Sequence, residues 1–275
     1  ATVESRADLS GVVSGTAFPA STTKVFSVVG YSGTAAPTNW ASPYIANVAV
    51  NSGTSSALSF ATPQYYPANG NKVYFYAYSP VSGTYTAGSA STAPTVAWTI
   101  TGQQDIMAAQ VTGGIAKAAT GTQQQPAFAF THKLKQVKFK VVKDASFEDN
   151  IKLTSLKIIG VKTAATLSLS TGAVSWGSTT GDLTAYNNAT GQTITATATA
   201  VGTNGSPVMF EPGASFKVRA VAGGVTYADV TVTLSGTNAG QAGVCHEVTL
   251  TFKRNAIVPT ATITNWTTGT AGNVN

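Results

Sequence analysis

Residues Lys72–Tyr78 read KVYFYAY, and their alternation decides the fold. Successive side chains of a strand point to opposite faces, so Val73, Phe75 and Ala77 share one side and Tyr74, Tyr76 and Tyr78 the other. Aromatic residues on both faces predict a strand covered on both sides, or packed on one face against a loop. Outward from this run the same period of two recurs in Lys24–Gly30 (KVFSVVG), Thr95–Thr101 (TVAWTIT), Gln136–Val142 (QVKFKVV), Phe216–Ala222 (FKVRAVA) and Glu247–Phe252 (EVTLTF). Gly, Pro, Asn and Ser bound these runs, as expected of strands joined by turns. Helical periodicity is nearly absent, and no period of roughly 20–50 residues repeats, which excludes a solenoid or propeller.

Thr193–Ala200 (TITATATA) alternates too and reads as one strand with a small-residue face. The polar stretch Ala118–Pro126 (AATGTQQQP) has no apolar periodicity and ends in a proline that cannot continue a central strand. It divides the chain into 1–122 and 123–275, each with about seven strand candidates, a count typical of a β-sandwich. The expected architecture is all-β, with two antiparallel β-sandwich domains in tandem; a barrel is the alternative.

Composition narrows the class. Hydrophobic residues make up 43% of the 275 and charged residues only 9%, so the chain folds, with a surface of hydroxyls and amides. Such a surface resembles extracellular, fibre and capsid proteins more than cytosolic enzymes. The net charge of +6 comes from basic residues interleaved with apolar ones, a pattern that argues against nucleic acid as a partner. A single cysteine, Cys245, excludes an internal disulfide framework. No apolar run reaches the roughly 18 residues of a membrane span, and no basic-then-apolar leader opens the sequence. If the protein is exported, its targeting segment is expected to have been removed.

Catalytic patterns do not emerge, and no metal or cofactor is expected. His132 and His246 each lie inside an alternating run without metal-ligand spacing, and are expected to be partly buried, hydrogen-bonded strand histidines. Cys245 and His246 are neighbours in a strand and therefore point to opposite faces, which argues against a thiolate pair. Asp144, Glu148 and Asp149 cluster in a turn-like segment, but the spacing of a calcium loop is missing, so backbone capping is the reading preferred there. Lys133, Lys135, Lys138, Lys140 and Lys143 alternate with Leu134, Val137, Phe139 and Val141, and most are expected on the solvent face of a strand, where lysines discourage edge pairing.

Several stretches, taken in order, resemble the fimbrillin family, the Mfa-like type V pilins of Bacteroidales. They are Phe26–Tyr31 (FSVVGY), Trp40, Tyr65-Tyr66-Pro67 with Asn69-Gly70, Val73–Pro80 (VYFYAYSP), Gln104–Ala108 (QDIMA), Phe128–Val141 (FAFTHKLKQVKFKV), Gly243–Phe252 and Ile263–Gly269 (ITNWTTG). The resemblance implies two transthyretin-like sandwich domains, a lipoprotein precursor anchored in the outer membrane, and polymerisation into a surface fimbria once a protease removes the first strand. The family's cut follows an arginine, and Arg6-Ala7 is the matching position. Cys245 lies far too late to be the family's lipidation site. The segment from Ala256 to Asn275 is the candidate donor strand, with Ile257, Ala261 and Ile263 on one face and Trp266 beyond them. Expected partners are other pilin subunits, with a host or bacterial surface ligand in addition. The second reading is an adhesin or glycan-binding module on the same scaffold, with Tyr65, Tyr66, Tyr74, Tyr76, Tyr78, Trp40, Trp98, Trp176 and Trp266 as the pool of sugar-stacking faces, although core packing is the expected use of most of them.

Overall fold

The computed structural model describes residues 18, 20–54, 58–145, 147, 151–254, 256–265 and 272–273. Among these the chain is all-β, as the sequence leads one to expect. Seven strands precede residue 122: β1 Phe26–Gly33, β2 Ile45–Ser52, β3 Leu58–Phe60, β4 Lys72–Ser79, β5 Thr84–Thr86, β6 Thr95–Thr99 and β7 Met107–Ala116. After it come β8 Ala127–Phe128, β9 Thr131–His132, β10 Lys135–Lys143, β11 Ile151–Lys162, β12 Ala164–Ser168, β13 Val174–Trp176, β14 Thr180–Ile194 and β15 Thr199–Ala200. The remainder are β16 Val208–Phe210, β17 Ser215–Ala222, β18 Val225–Thr226, β19 Val230–Thr233, β20 Val244–Lys253, β21 Ala256–Asn265 and β22 Gly272–Asn273.

The first sheet runs β3-β2-β1-β4-β7-β9 and places β4 near its centre. Both faces of β4 are covered. Val73, Phe75 and Ala77 join Phe26, Val28, Met107, Phe128 and Phe130 in one cluster, while Tyr74, Tyr76 and Tyr78 join Val29, Tyr31 and Trp98 in another. Two of the buried tyrosines use their hydroxyls: Tyr78 donates to Asn47 Oδ1 at 2.8 Å, and Tyr31 to the Trp40 carbonyl at 3.0 Å. Rings meet edge to face, Tyr31 with Trp40 at 5.1 Å and Tyr78 with Trp98 at 5.9 Å, the arrangement their quadrupoles prefer. Gly30 lets β1, β2 and β4 approach, since a Cβ there would stand 3.0 Å from Val73 and 3.1 Å from Ile45.

Two further sheets form the rest of the core. One runs β15-β10-β20-β21 with β16 also on β10, the other β14-β11-β17-β18 with β19 on β17. Their inward residues, among them Val137, Phe139, Val141, Leu153, Leu156, Val218, Val248, Leu250 and Phe252, are buried in the same cluster as the tyrosine face of β4. At roughly 1.5–3 kcal/mol per buried side chain, this shared core is the main stabilising element. A fourth sheet, β13-β12-β6-β5, draws β5 and β6 from before residue 122 and β12 and β13 from after it. Ala164–Ser168 pairs there with Thr99–Thr95, so backbone hydrogen bonds as well as side chains tie the two halves together.

Three local readings need correction. β10 pairs β20 in parallel, Gln136 with Cys245 through Lys143 with Phe252, so the pairing is not antiparallel throughout. A long crossover separates the two strands, as parallel neighbours require. β10 also lies inside its sheet, and Lys135 at its start is 1% exposed, so this lysine is no solvent-face edge guard. Finally, TITATATA is not one strand: β14 ends at Ile194 and β15 begins at Thr199. Thr195 Oγ1 donates to the Thr197 carbonyl at 2.9 Å, the local side-chain bond by which threonine competes with a ladder.

Candidate functional site

The described residues hold no group of three or more His, Cys, Asp or Glu arranged for a metal ion. His132 and His246 are both buried and hydrogen-bonded. His132 Nδ1 lies 2.8 Å from Asp105 Oδ1 with both side chains inaccessible, which joins the QDIMA and FTHKL stretches across the β7–β9 edge. His246 Nε2 accepts the Gly240 N–H at 3.2 Å, and burial, followed by the nearby Lys135, lowers its pKa. Trp98, Tyr74, Tyr76 and Tyr78 are core residues, whereas Tyr65 is 79% exposed. Glu148 and Asp149 lie outside the described residues.

The features that offer binding are strand edges and an open groove. β21 is the last strand of its sheet and pairs antiparallel with β20 over its whole length, from Ala256 opposite Lys253 to Asn265 opposite Val244. Its faces alternate with period two: Ile257 is buried, Ala261 is half-buried against the core, and Val258, Thr260 and Thr262 are exposed. Ile263 pairs with His246 through the backbone. Pro259 is tolerated because the strand is hydrogen-bonded to a neighbour on one side only among the described residues. Arg6, Ala7 and Trp266 lie outside the described residues.

Phe18 and β22 both lie against the aromatic cluster of the first sheet. Phe18 packs on Phe26 at 5.3 Å and on Phe130 at 5.2 Å, while Gly272 and Asn273 of β22 pair with Phe128 and Ala127 of β8. Beyond this aromatic cluster, on the same sheet face, opens a cavity of about 510 Å³. Ile45, Phe60, Val73 and Phe75 line it together with Gln64, Gln125, Lys117 and Tyr65. Two tyrosine hydroxyls brace its walls, Tyr44 donating to the Tyr65 carbonyl and Tyr66 to the Gln124 carbonyl, each at 3.0 Å. Sequence reading named Tyr65 and Tyr66 but not the glutamines, which carry no pattern of their own.

Comparison with solved structures finds the same fold in proteins of Bacteroides. A candidate cell adhesion protein from Bacteroides uniformis is 19% identical, with 91% of this chain and 93% of that one covered and a TM-score of 0.62. A fimbrial protein from Bacteroides vulgatus is 20% identical over 88% and 93% of the two chains, with a TM-score of 0.59. A candidate cell adhesion protein from Bacteroides ovatus, 14% identical over 93% and 91%, gives 0.57. No curated protein matches in sequence. The family model described as fimbrillin-like matches residues 14–266, nearly the whole chain. With that coverage and an all-β fold shared with a fimbrial protein, the chain belongs to the fimbrillin-like family.

Proposed function

We propose that this chain is a structural subunit of a bacterial surface fimbria, stalk or tip, polymerised by protease-triggered strand exchange. The observation that carries the reading is the position of β21 at the edge of a sheet, hydrogen-bonded on one side only and with Ile257 as its buried side chain, among the described residues. Such a strand is held chiefly by its ladder, and an equivalent ladder on another subunit replaces it at little net cost. In this reading the precursor is a two-lobed lipoprotein, lobes 1–122 and 123–275, anchored in the outer membrane. Cleavage between Arg6 and Ala7 withdraws a leading strand from the first lobe and leaves an apolar groove on the aromatic face. Residues 256–275 of the next subunit, led by Ile257, Ala261, Ile263 and Trp266, fill that groove. The contact is head to tail, so it propagates as a filament instead of closing as a dimer.

Treatment of the purified chain with an Arg-specific protease tests this. Oligomer ladders that vanish in Arg6→Ala support the reading, and a strictly monomeric product at high concentration refutes it.

The exposed Tyr65 beside the 510 Å³ cavity favours a second reading, adhesion to a saccharide. Its ring offers a stacking face and the glutamine amides offer hydrogen bonds to hydroxyls. Glycan-array binding that is lost in Tyr65→Ala supports it, whereas an array without binders counts against it.

A further inference from the structure

Lys135 is an anomaly, a charged side chain 1% exposed at the first position of β10. Its Nζ donates to the Gly213 carbonyl at 2.5 Å and stands over the rings of Phe210 at 4.3 Å and Phe216 at 5.1 Å. The Gly213 N–H in turn donates to the Gly240 carbonyl at 2.8 Å, and the Gly240 N–H to His246 Nε2 at 3.2 Å. The backbone of two glycines thus joins a buried lysine to a buried histidine. The two glycines allow the approach: Gly240 has φ +68°, and a Cβ there would collide with the Gly213 carbonyl.

We infer that Lys135 and His246, linked through Gly213 and Gly240, form an acid-sensitive clamp on the loops before β17 and β20, and so on the point where β21 leaves its sheet. His246 accepts at Nε2, so its ring proton sits on Nδ1, which has no hydrogen-bond partner among the described residues. A second proton puts an N–H at Nε2, pointing at the Gly240 N–H. Donor then faces donor, and a buried cation appears on the same hydrogen-bonded chain as Lys135. Gly240 must move, and Gly213 loses the carbonyl that receives its N–H. The adjoining register places His246 opposite Ile263 and Val244 opposite Asn265, so the loosened segment feeds directly into the end of β21.

Other charges near the clamp leave this logic intact. Lys135 is the charge felt by His246, and it too disfavours the second proton. Glu211, at the mouth of the cavity that Lys135 lines with Lys217 and Asp229, acts on Lys135. The Asp105–His132 pair stands beyond Gly243, whose Cβ position would lie 3.7 Å from His132 Cβ.

Hydrogen exchange of the intact chain tests the clamp. Between about pH 7.5 and about pH 5, after correction for intrinsic rates, protection over 211–215 and 236–243 should fall about tenfold or more while Leu153–Leu156 stays constant. His246→Gln should abolish this dependence. Equal loss of protection in His246→Gln, or a flat wild-type profile, overturns the inference. Should His246→Gln fail to fold, NMR titration of the wild-type imidazole decides: its midpoint must coincide with that of the Gly213 and Gly240 amide shifts, and a separate midpoint overturns the clamp. The consequence for strand release rests on the donor-strand reading. Exchange in the monomer tests the clamp alone, so polymerisation can fail without touching it.

Discussion

Replacing Lys135 by methionine removes a buried charge while keeping most of its volume. Burial pushes the Lys135 pKa from 10.5 down to about 8, with Glu211 pulling weakly the other way. Below about pH 8 the lysine is charged folded and unfolded alike and carries its full desolvation cost, about 3 kcal/mol for this shift. As pH rises through 8 the folded state releases its proton first, and stability recovers until the unfolded value of 10.5 is reached. Between pH 8 and pH 10 the recovery amounts to roughly 2 kcal/mol. Tyrosines act in the opposite sense at higher pH: Tyr31, pushed up to about 12 chiefly by burial, loses stability for the fold once the unfolded chain ionises near 10. Urea unfolding by tryptophan fluorescence at pH 7, 8 and 9, below the range in which unfolded tyrosines ionise, should therefore give rising wild-type midpoints and a nearly flat profile for Lys135→Met. At pH 7 the two should differ by no more than about 1 kcal/mol, because the lost charged hydrogen bond and ring contacts offset the relieved desolvation. Parallel pH profiles for the two proteins would refute this reasoning.

Other perturbations have equally definite outcomes. Phe128→Ala empties a fully buried site between Phe26, Phe75 and Phe130 and should cost about 3–5 kcal/mol by urea titration. Asp105→Asn weakens the buried bond to His132 and should cost about 1–3 kcal/mol in the same assay. Thr166→Pro removes a ladder donor from β12, which lies between β13 and β6, and should abolish the native far-UV spectrum while Thr166→Ser retains it. Asp229→Asn breaks the exposed pair with Arg219 and should leave the melting temperature unchanged in moderate salt.

Strand existence was largely legible in the sequence, because burial of one or both faces leaves a period-two imprint, clearest in KVYFYAY and EVTLTF. Pairing was not. β6 meets β12, which begins about 65 residues further along, and nothing in TVAWTIT says whether its neighbour is near or distant in sequence. Lys135 reads as surface because lysine seldom lies inside; its burial depends on Gly213, Phe210 and Phe216, which reach it only in three dimensions. TITATATA fails for the opposite reason, since small side chains bury too little to fix a register and a local threonine bond intervenes. At the candidate site, the alternation of Ile257 and Ala261 was readable, and so was core packing for most of the tyrosines; the exposure of Tyr65 among them was not. The edge position of β21 and the convergence of Phe18 with β22 and β8 were not, since both are properties of the sheet.

Locking β21 in place tests strand transfer most directly. In a Cys245→Ser background, Thr249→Cys and Thr260→Cys put two thiols at directly paired positions of β20 and β21. Oxidised and then cut by an Arg-specific protease, this protein should remain monomeric by light scattering, and it should polymerise once reduced. Equal polymerisation of the oxidised and reduced forms would contradict a mobile β21 as the link between subunits.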